Sequence, residues 1–123
     1  MVHTTLDEQR AYDDATFNAE AIARSERSKT LCGYFDPGQF IPVHAPDSDI
    51  TIVVQSGHGI VREGETTHEV SAGSIVTVPA GTDRGIKAGE ERLEAVLVVS
   101  PPPTDAEHEP VKRGLATGEF DPA

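Results

Sequence analysis

Gly38-Gln-Phe-Ile-Pro-Val-His44 with its continuation to Gly57, and Gly73-Ser-Ile-Val-Thr-Val-Pro79-Ala-Gly81, set the architecture of the chain. Each opens on a glycine, passes through β-branched residues and ends at a corner. Gly38, Gly57 and Gly73 stand at turns that require positive φ, and Pro79 with Gly81 fixes a sharp bend after a strand. Between the two stretches Ile50, Ile52 and Val54 share one side of a strand, with Thr51, Val53 and Gln55 on the other. Both sides are mostly apolar. That suits a barrel wall packed on its own core inside and against a terminal arm or a second subunit outside.

Along the rest of the chain, turn signals recur at Asp36-Pro37-Gly38, Ser56-Gly57-His58-Gly59, Glu63-Gly64-Glu65, Ala72-Gly73 and Pro79-Ala80-Gly81. A spacing of about 8–12 residues marks an all-β sandwich or barrel. The pattern predicts strands over Ser28–Phe35, Gln39–Val43, Ile50–Gln55, Gly59–Glu63, Thr67–Val70, Ser74–Val78, Arg84–Ala88 and Arg92–Val99, the strand count of a jelly roll. The domain therefore spans residues 24–101. Residues 1–23 read as a polar, peripheral N-terminal arm in which Ala11–Arg24 can form a short helix against the barrel. The run Pro101-Pro102-Pro103 ends any strand, and the acidic residues 102–123 read as an extended C-terminal tail.

The stretch from Gly38 to Pro101 resembles the cupin superfamily, whose two motifs are G-x5-H-x-H-x3,4-E-x6-G and G-x5-P-x-G-x2-H-x3-N. Gly38, His44 and Gly57 match the first, and Gly73, Pro79 and Gly81 match the second. The resemblance implies a double-stranded β-helix barrel and, in the family, a metal held by two histidines and a glutamate from the first motif and a histidine from the second. Here only His44 stands at a ligand position. Pro46 occupies the second histidine position, Ile50 that of the glutamate and Arg84 that of the second-motif histidine. Proline and isoleucine have no donor, and an arginine stays protonated and repels a cation. No metal or other cofactor is expected at that place. A divalent metal requires a shift of register that turns Asp47 or Asp49 inward, against the alternation that directs Ile50 there.

The residues expected at the barrel mouth are then His44 and Arg84, with Ile50, Ile52 and Pro46 as the apolar lining. Together His44 and Arg84 make a cationic spot in an apolar cup, and the planar guanidinium fork fits a carboxylate or phosphate. The bland alternative pairs Arg84 with an internal acid such as Asp47, Asp49 or Asp83. His44 is the best single candidate for a chemical role, since its ring titrates near neutrality. His3, His58, His68 and His108 share no metal spacing and read as solvated surface residues. Cys32 and Tyr34 share one face of their strand, toward either the cavity or a partner, and Cys32 reads as a small buried hydrophobe.

Composition narrows the function classes. With 21 acidic residues against 10 basic ones, a formal charge of −11 repels nucleic acid and anionic membranes. Only Lys29, Lys87 and Lys112 are lysines, and that balance suits a surface hydrated in high salt, as in a halophile. No apolar run approaches the about 20 residues of a membrane helix. A single cysteine and no leader pattern point to the cytoplasm. Three readings stay open: a metal-independent barrel that binds a small organic anion, a metal-dependent cupin enzyme of dioxygenase or isomerase type with non-standard ligands, and a structural dimer with a filled barrel. Homodimerisation through the apolar outer face fits each of them.

Overall fold

The computed structural model describes residues 2–121. Among the described residues nine strands form two antiparallel sheets that face each other. They are β1 (Asn18–Arg24), β2 (Lys29–Phe35), β3 (Phe40–His44), β4 (Asp49–Ser56), β5 (His58–Glu63), β6 (Thr66–Ser71), β7 (Ile75–Val78), β8 (Arg84–Ala88) and β9 (Leu93–Ser100). One sheet has the order β1-β2-β9-β4-β7 and the other β3-β8-β5-β6. Every strand predicted from the sequence is present, with no end shifted by more than one residue. The motif glycines Gly38, Gly57 and Gly73 have φ of 79°, 82° and 93°. At Gly57 any side chain would collide with the carbonyl of Arg92, so only glycine fits the turn.

Register explains the core. Ile50, Ile52 and Val54 of β4 lie opposite Val99, Leu97 and Ala95 of β9, and all six point between the sheets. From the facing sheet Val61, Val70 and Ile86 complete the same cluster. Burying each such aliphatic side chain contributes about 1.5–3 kcal/mol, which makes this face of the sheets the main source of stability.

Both termini depart from expectation. Residues 18–24 form β1, paired with β2, instead of belonging to a helix. The Ala-rich segment favours helix by propensity, but β2 offers a free edge of N–H and C=O groups and Phe17 stacks on Phe35 at 5.7 Å, so tertiary pairing overrides the local preference. Ahead of β1, the short helix α1 (Leu6–Gln9) and residues 10–12 cover the outer face of the first sheet. Tyr34 donates to the carbonyl of Leu6 at 2.8 Å and meets Tyr12 edge-on at 5.7 Å. Cys32 and Tyr34 therefore point away from the interior and are buried beneath this arm.

The C-terminal tail is not extended. After a short 3-10 turn at Ala106–His108 it forms helix α2 (Glu109–Thr117), with Pro110 in its first turn and Gly118 closing it at φ 73°. The helix lies on β3. Gly114 packs so tightly against Pro42 that an added Cβ would come within 2.5 Å of the Pro42 ring. Phe120 meets Phe40 edge-on, and its carbonyl accepts from the Val43 N–H at 2.7 Å. Among the described residues no helix is long and apolar enough to cross a membrane.

Candidate functional site

The interior is not filled. A cavity of about 340 Å³ lies between the sheets at the end where β3 stops and β8 and β2 begin. Of the three readings left open by the sequence, this cavity counts against the one with a filled barrel. The wall is layered by register. The row nearest the mouth carries Lys29, Val99 and Ile50 across β2, β9 and β4, and the next row inward carries Leu31, Leu97 and Ile52. On the facing sheet His44 lies opposite Arg84 across β3 and β8, above Ile86 and Ile41. Phe17, just ahead of β1, and Ala19 of β1 close one side, and Pro103, His108, Val111 and Lys112 of the C-terminal segment close the top.

Arg84 is the pivot of this site. Its side chain is buried, with 5% of the residue exposed, and one guanidinium nitrogen donates to the backbone carbonyl of Ser48. Burial pushes its pKa down to about 10, against the opposing pull of Glu107 and Asp49, so it stays charged at neutral pH. Among the described residues no carboxylate lies within 4.0 Å of it. Asp49, the one expected partner whose charge acts on Arg84, accepts from the Ala80 N–H at 2.8 Å, and Glu107 accepts from the amides of Asp47 and Thr104. Glu63, directly opposite Arg84 on β5, is bonded to His68 at 2.9 Å. The pairing of Arg84 with Asp47, Asp49 or Asp83 is thus not found, and its remaining donors are left for the cavity.

His44 is placed as expected but is not part of a cationic pair. Its Nδ1 donates to the Pro42 carbonyl at 2.8 Å, the tautomer that leaves the lone pair on Nε2. Burial lowers its pKa below 6.5, and the Arg84 and His108 charges act in the same direction, overcoming the upward pull of the Pro42 carbonyl. The ring is neutral at pH 7, so the charge at the mouth comes from Arg84, Lys29 and Lys112. Lys112 sits at the rim, 3.6 Å from Glu109.

Ile50 and Ile52 line the cavity as the alternation requires; Pro46 does not. It is buried behind the end of β3, where its carbonyl accepts from Gly81 at 2.9 Å. His108, read as a surface residue, lines the cavity. His68 is half-buried against Glu63, and His58 is half-buried with Nδ1 enclosed and without a partner among the described residues. Sequence reasoning also missed Lys29 and Leu31, whose inward parity was one of two equal choices for β2. It missed Val111 and Lys112 as well, whose signal was the Pro110-to-Gly118 helix frame behind the proline run.

A metal of the family's kind finds no donor set here. The four motif positions hold His44, the displaced Pro46, Ile50 and Arg84, and one imidazole facing a guanidinium lacks both the number and the charge of ligands. Asp49 is exposed and occupied by Ala80, so it does not turn inward. Among the described residues no group of three or more His, Cys, Asp or Glu side chains is arranged to hold an ion.

Fold and cavity together define a small double-stranded β-helix with an open interior. The sequence pattern of the cupin domain matches residues 33–100, more than half of the chain, and the chain belongs to the cupin family. It is similar to the protein TT1209 of Thermus thermophilus (25% identity, TM-score 0.80, covering 84% of this chain and 100% of the other). It is also similar to an RmlC-like cupin of Desulfovibrio desulfuricans (28% identity, TM-score 0.73, covering 83% and 98%). KdgF of Halomonas sp. shares the fold at 19% identity and a TM-score of 0.73, covering 86% and 99%. None of the curated proteins compared with the chain matches it.

Proposed function

We propose that this protein binds a small organic anion in the mouth of its barrel, without the metal usual in its family. The observation that carries this reading is the charge of the lining. The chain has 21 acidic residues and 10 basic ones, yet among the described residues the cavity is lined by Lys29, Arg84 and Lys112 and by no acidic side chain. A buried guanidinium without a carboxylate is costly, and an anionic ligand supplies the missing partner. The neutral ring of His44 adds a base beside the bound anion, which is where any proton transfer would be served.

The test is calorimetric titration of the chain, dialysed against EDTA, with acetate, hexanoate, citrate, galacturonate and inorganic phosphate, repeated for Arg84→Met. Saturable binding of at least one anion that falls tenfold or more in Arg84→Met supports the reading, since charge-assisted hydrogen bonds are worth about 1.5–3 kcal/mol. Binding of none of them, or binding indifferent to Arg84, overturns it. Elemental analysis before dialysis separates the metal-dependent alternative: stoichiometric metal that is lost in His44→Ala would make that alternative the leading one.

A further inference from the structure

We propose that the ligand is a monocarboxylate with a compact apolar body, its head on Arg84 and its body held below by the aliphatic rows of the barrel and above by helix α2. The inference rests on the anion-binding reading and names the chemical class of the anion. It follows from how polarity is distributed with depth. All cationic side chains of the lining, Lys29, Arg84 and Lys112, and both imidazoles, His44 and His108, belong to the mouth or to the segment that closes it. One residue further along each strand face the wall becomes purely aliphatic: Leu31, Leu97, Ile52 and Ile86. Leu31 and Ile41 face inward yet are only half-buried, because the cavity itself exposes them.

A sugar acid or polyol needs polar partners spread around its ring, and a hydroxyl placed among these side chains would lose its hydrogen bonds to water without replacement. A phosphate dianion needs several buried donors. Here a single buried cation is present, with Lys29 half-buried and Lys112 exposed at the rim. One planar carboxylate matches the free edge of one guanidinium. Size agrees: about 340 Å³ lies at the small end of ligand sites, which span about 300–1,000 Å³. The upper wall comes from Val111 and Pro103, so the C-terminal segment completes the enclosure of the apolar body.

The experiment is a titration series of straight-chain monocarboxylates, from propanoate to hexanoate, into the full chain, with galacturonate and inorganic phosphate as polar probes. Each methylene that enters the aliphatic layer should strengthen binding about fourfold. The expected result is a steady rise along the series, hexanoate at least tenfold tighter than galacturonate or phosphate, and loss of the rise in Val111→Asp, which places a charge in the upper wall. A flat series, or tighter binding of galacturonate or phosphate that still requires Arg84, overturns the monocarboxylate assignment and leaves the anion reading standing. No binding by any probe overturns both. If Val111→Asp does not fold, Ile52→Thr, which adds a hydroxyl to the deep row while keeping branching, carries the same comparison.

Discussion

His44 and Arg84 face each other directly across β3 and β8, at two positions that the resemblance to the cupin motifs would give to metal-binding histidines. In this chain a neutral imidazole and a buried guanidinium stand there, and the proposed function reads the place as an anion site. The exchange should be visible in stability as well as in binding.

Arg84→Met removes a buried charge that has no carboxylate within 4.0 Å among the described residues, at the expense of one donor to the Ser48 carbonyl. Replacing buried charges with apolar groups of similar volume is often neutral or stabilising by about 1–4 kcal/mol. Thermal melting of the variant without ligand is expected to match or exceed that of the wild type while anion binding is lost. Destabilisation on the scale of a core truncation, about 2–5 kcal/mol, would show instead that Arg84 is a structural strut.

The pH dependence of binding isolates His44. A bound anion beside the ring favours its imidazolium form, so the complex takes up a proton and affinity rises as pH falls from about 7.5 to about 5.5. Without ligand the sign is opposite. The folded pKa lies below 6.5, so stability from the neutral ring is complete above about 6.5 and declines as pH falls through the folded value. Arg84, with its pKa at about 10, stays charged over that range. Glu107, held below the usual carboxylate value by the amides of Thr104 and Asp47, stays ionised, and Asp49 accepts from the Ala80 N–H. His108 is the other imidazole at the mouth. His44→Asn should flatten the rise in affinity measured by calorimetry at each pH; an unchanged slope would assign it to His108.

Much of this was legible in the sequence, for local reasons. The turns at Gly38, Gly57 and Gly73 are set by backbone geometry within a few residues, and the inward parity of Ile50 and Ile52 follows from alternation along one strand. What escaped depends on partners distant in the chain. The segment Asn18–Arg24 carries helix formers and becomes a strand only because β2 has an edge to fill. The cavity role of Val111 and Lys112 depends on α2 docking on β3. Glu94 looked like one more acid among 21, yet it is buried because Arg10, 84 residues away, reaches it.

Glu94 makes the arm a stabilising element with its own signature in acid. Arg10 clamps the carboxylate through Nε at 2.6 Å and a second nitrogen at 2.9 Å, and Tyr12 donates to it at 2.6 Å. The Arg10 hydrogen bonds chiefly hold its pKa below 4.5, with Tyr12 adding to them. A depressed folded pKa contributes stability that is present above about 4.5 and is lost as pH falls through the folded value. Glu94→Gln should lower the melting temperature at pH 7 and make the decline in acid shallower. A variant that melts like the wild type from about pH 7 to about pH 3 would contradict the clamp.

Gly114 offers a handle on the cavity from outside it. It lines none of the ligand space, but a Cβ there would sit 2.5 Å from the Pro42 ring. Gly114→Ala should push α2 off β3, cost about 1–3 kcal/mol by overpacking, and weaken hexanoate binding several-fold although every lining residue is intact. Denaturant unfolding and titration on the same sample read both effects. Destabilisation with unchanged affinity would show that the helix does not enclose the ligand.

Whether an anion sits on Arg84 is read most directly from the Arg84 side-chain Nε–H signal, followed by NMR while hexanoate is added to the metal-free chain. A saturable shift of that resonance is expected, together with shifts of the amides of His44, Ile50, Val99 and Val111. An unmoved Arg84 signal, with any shifts scattered over the outer surface, would contradict an anion site at the barrel mouth.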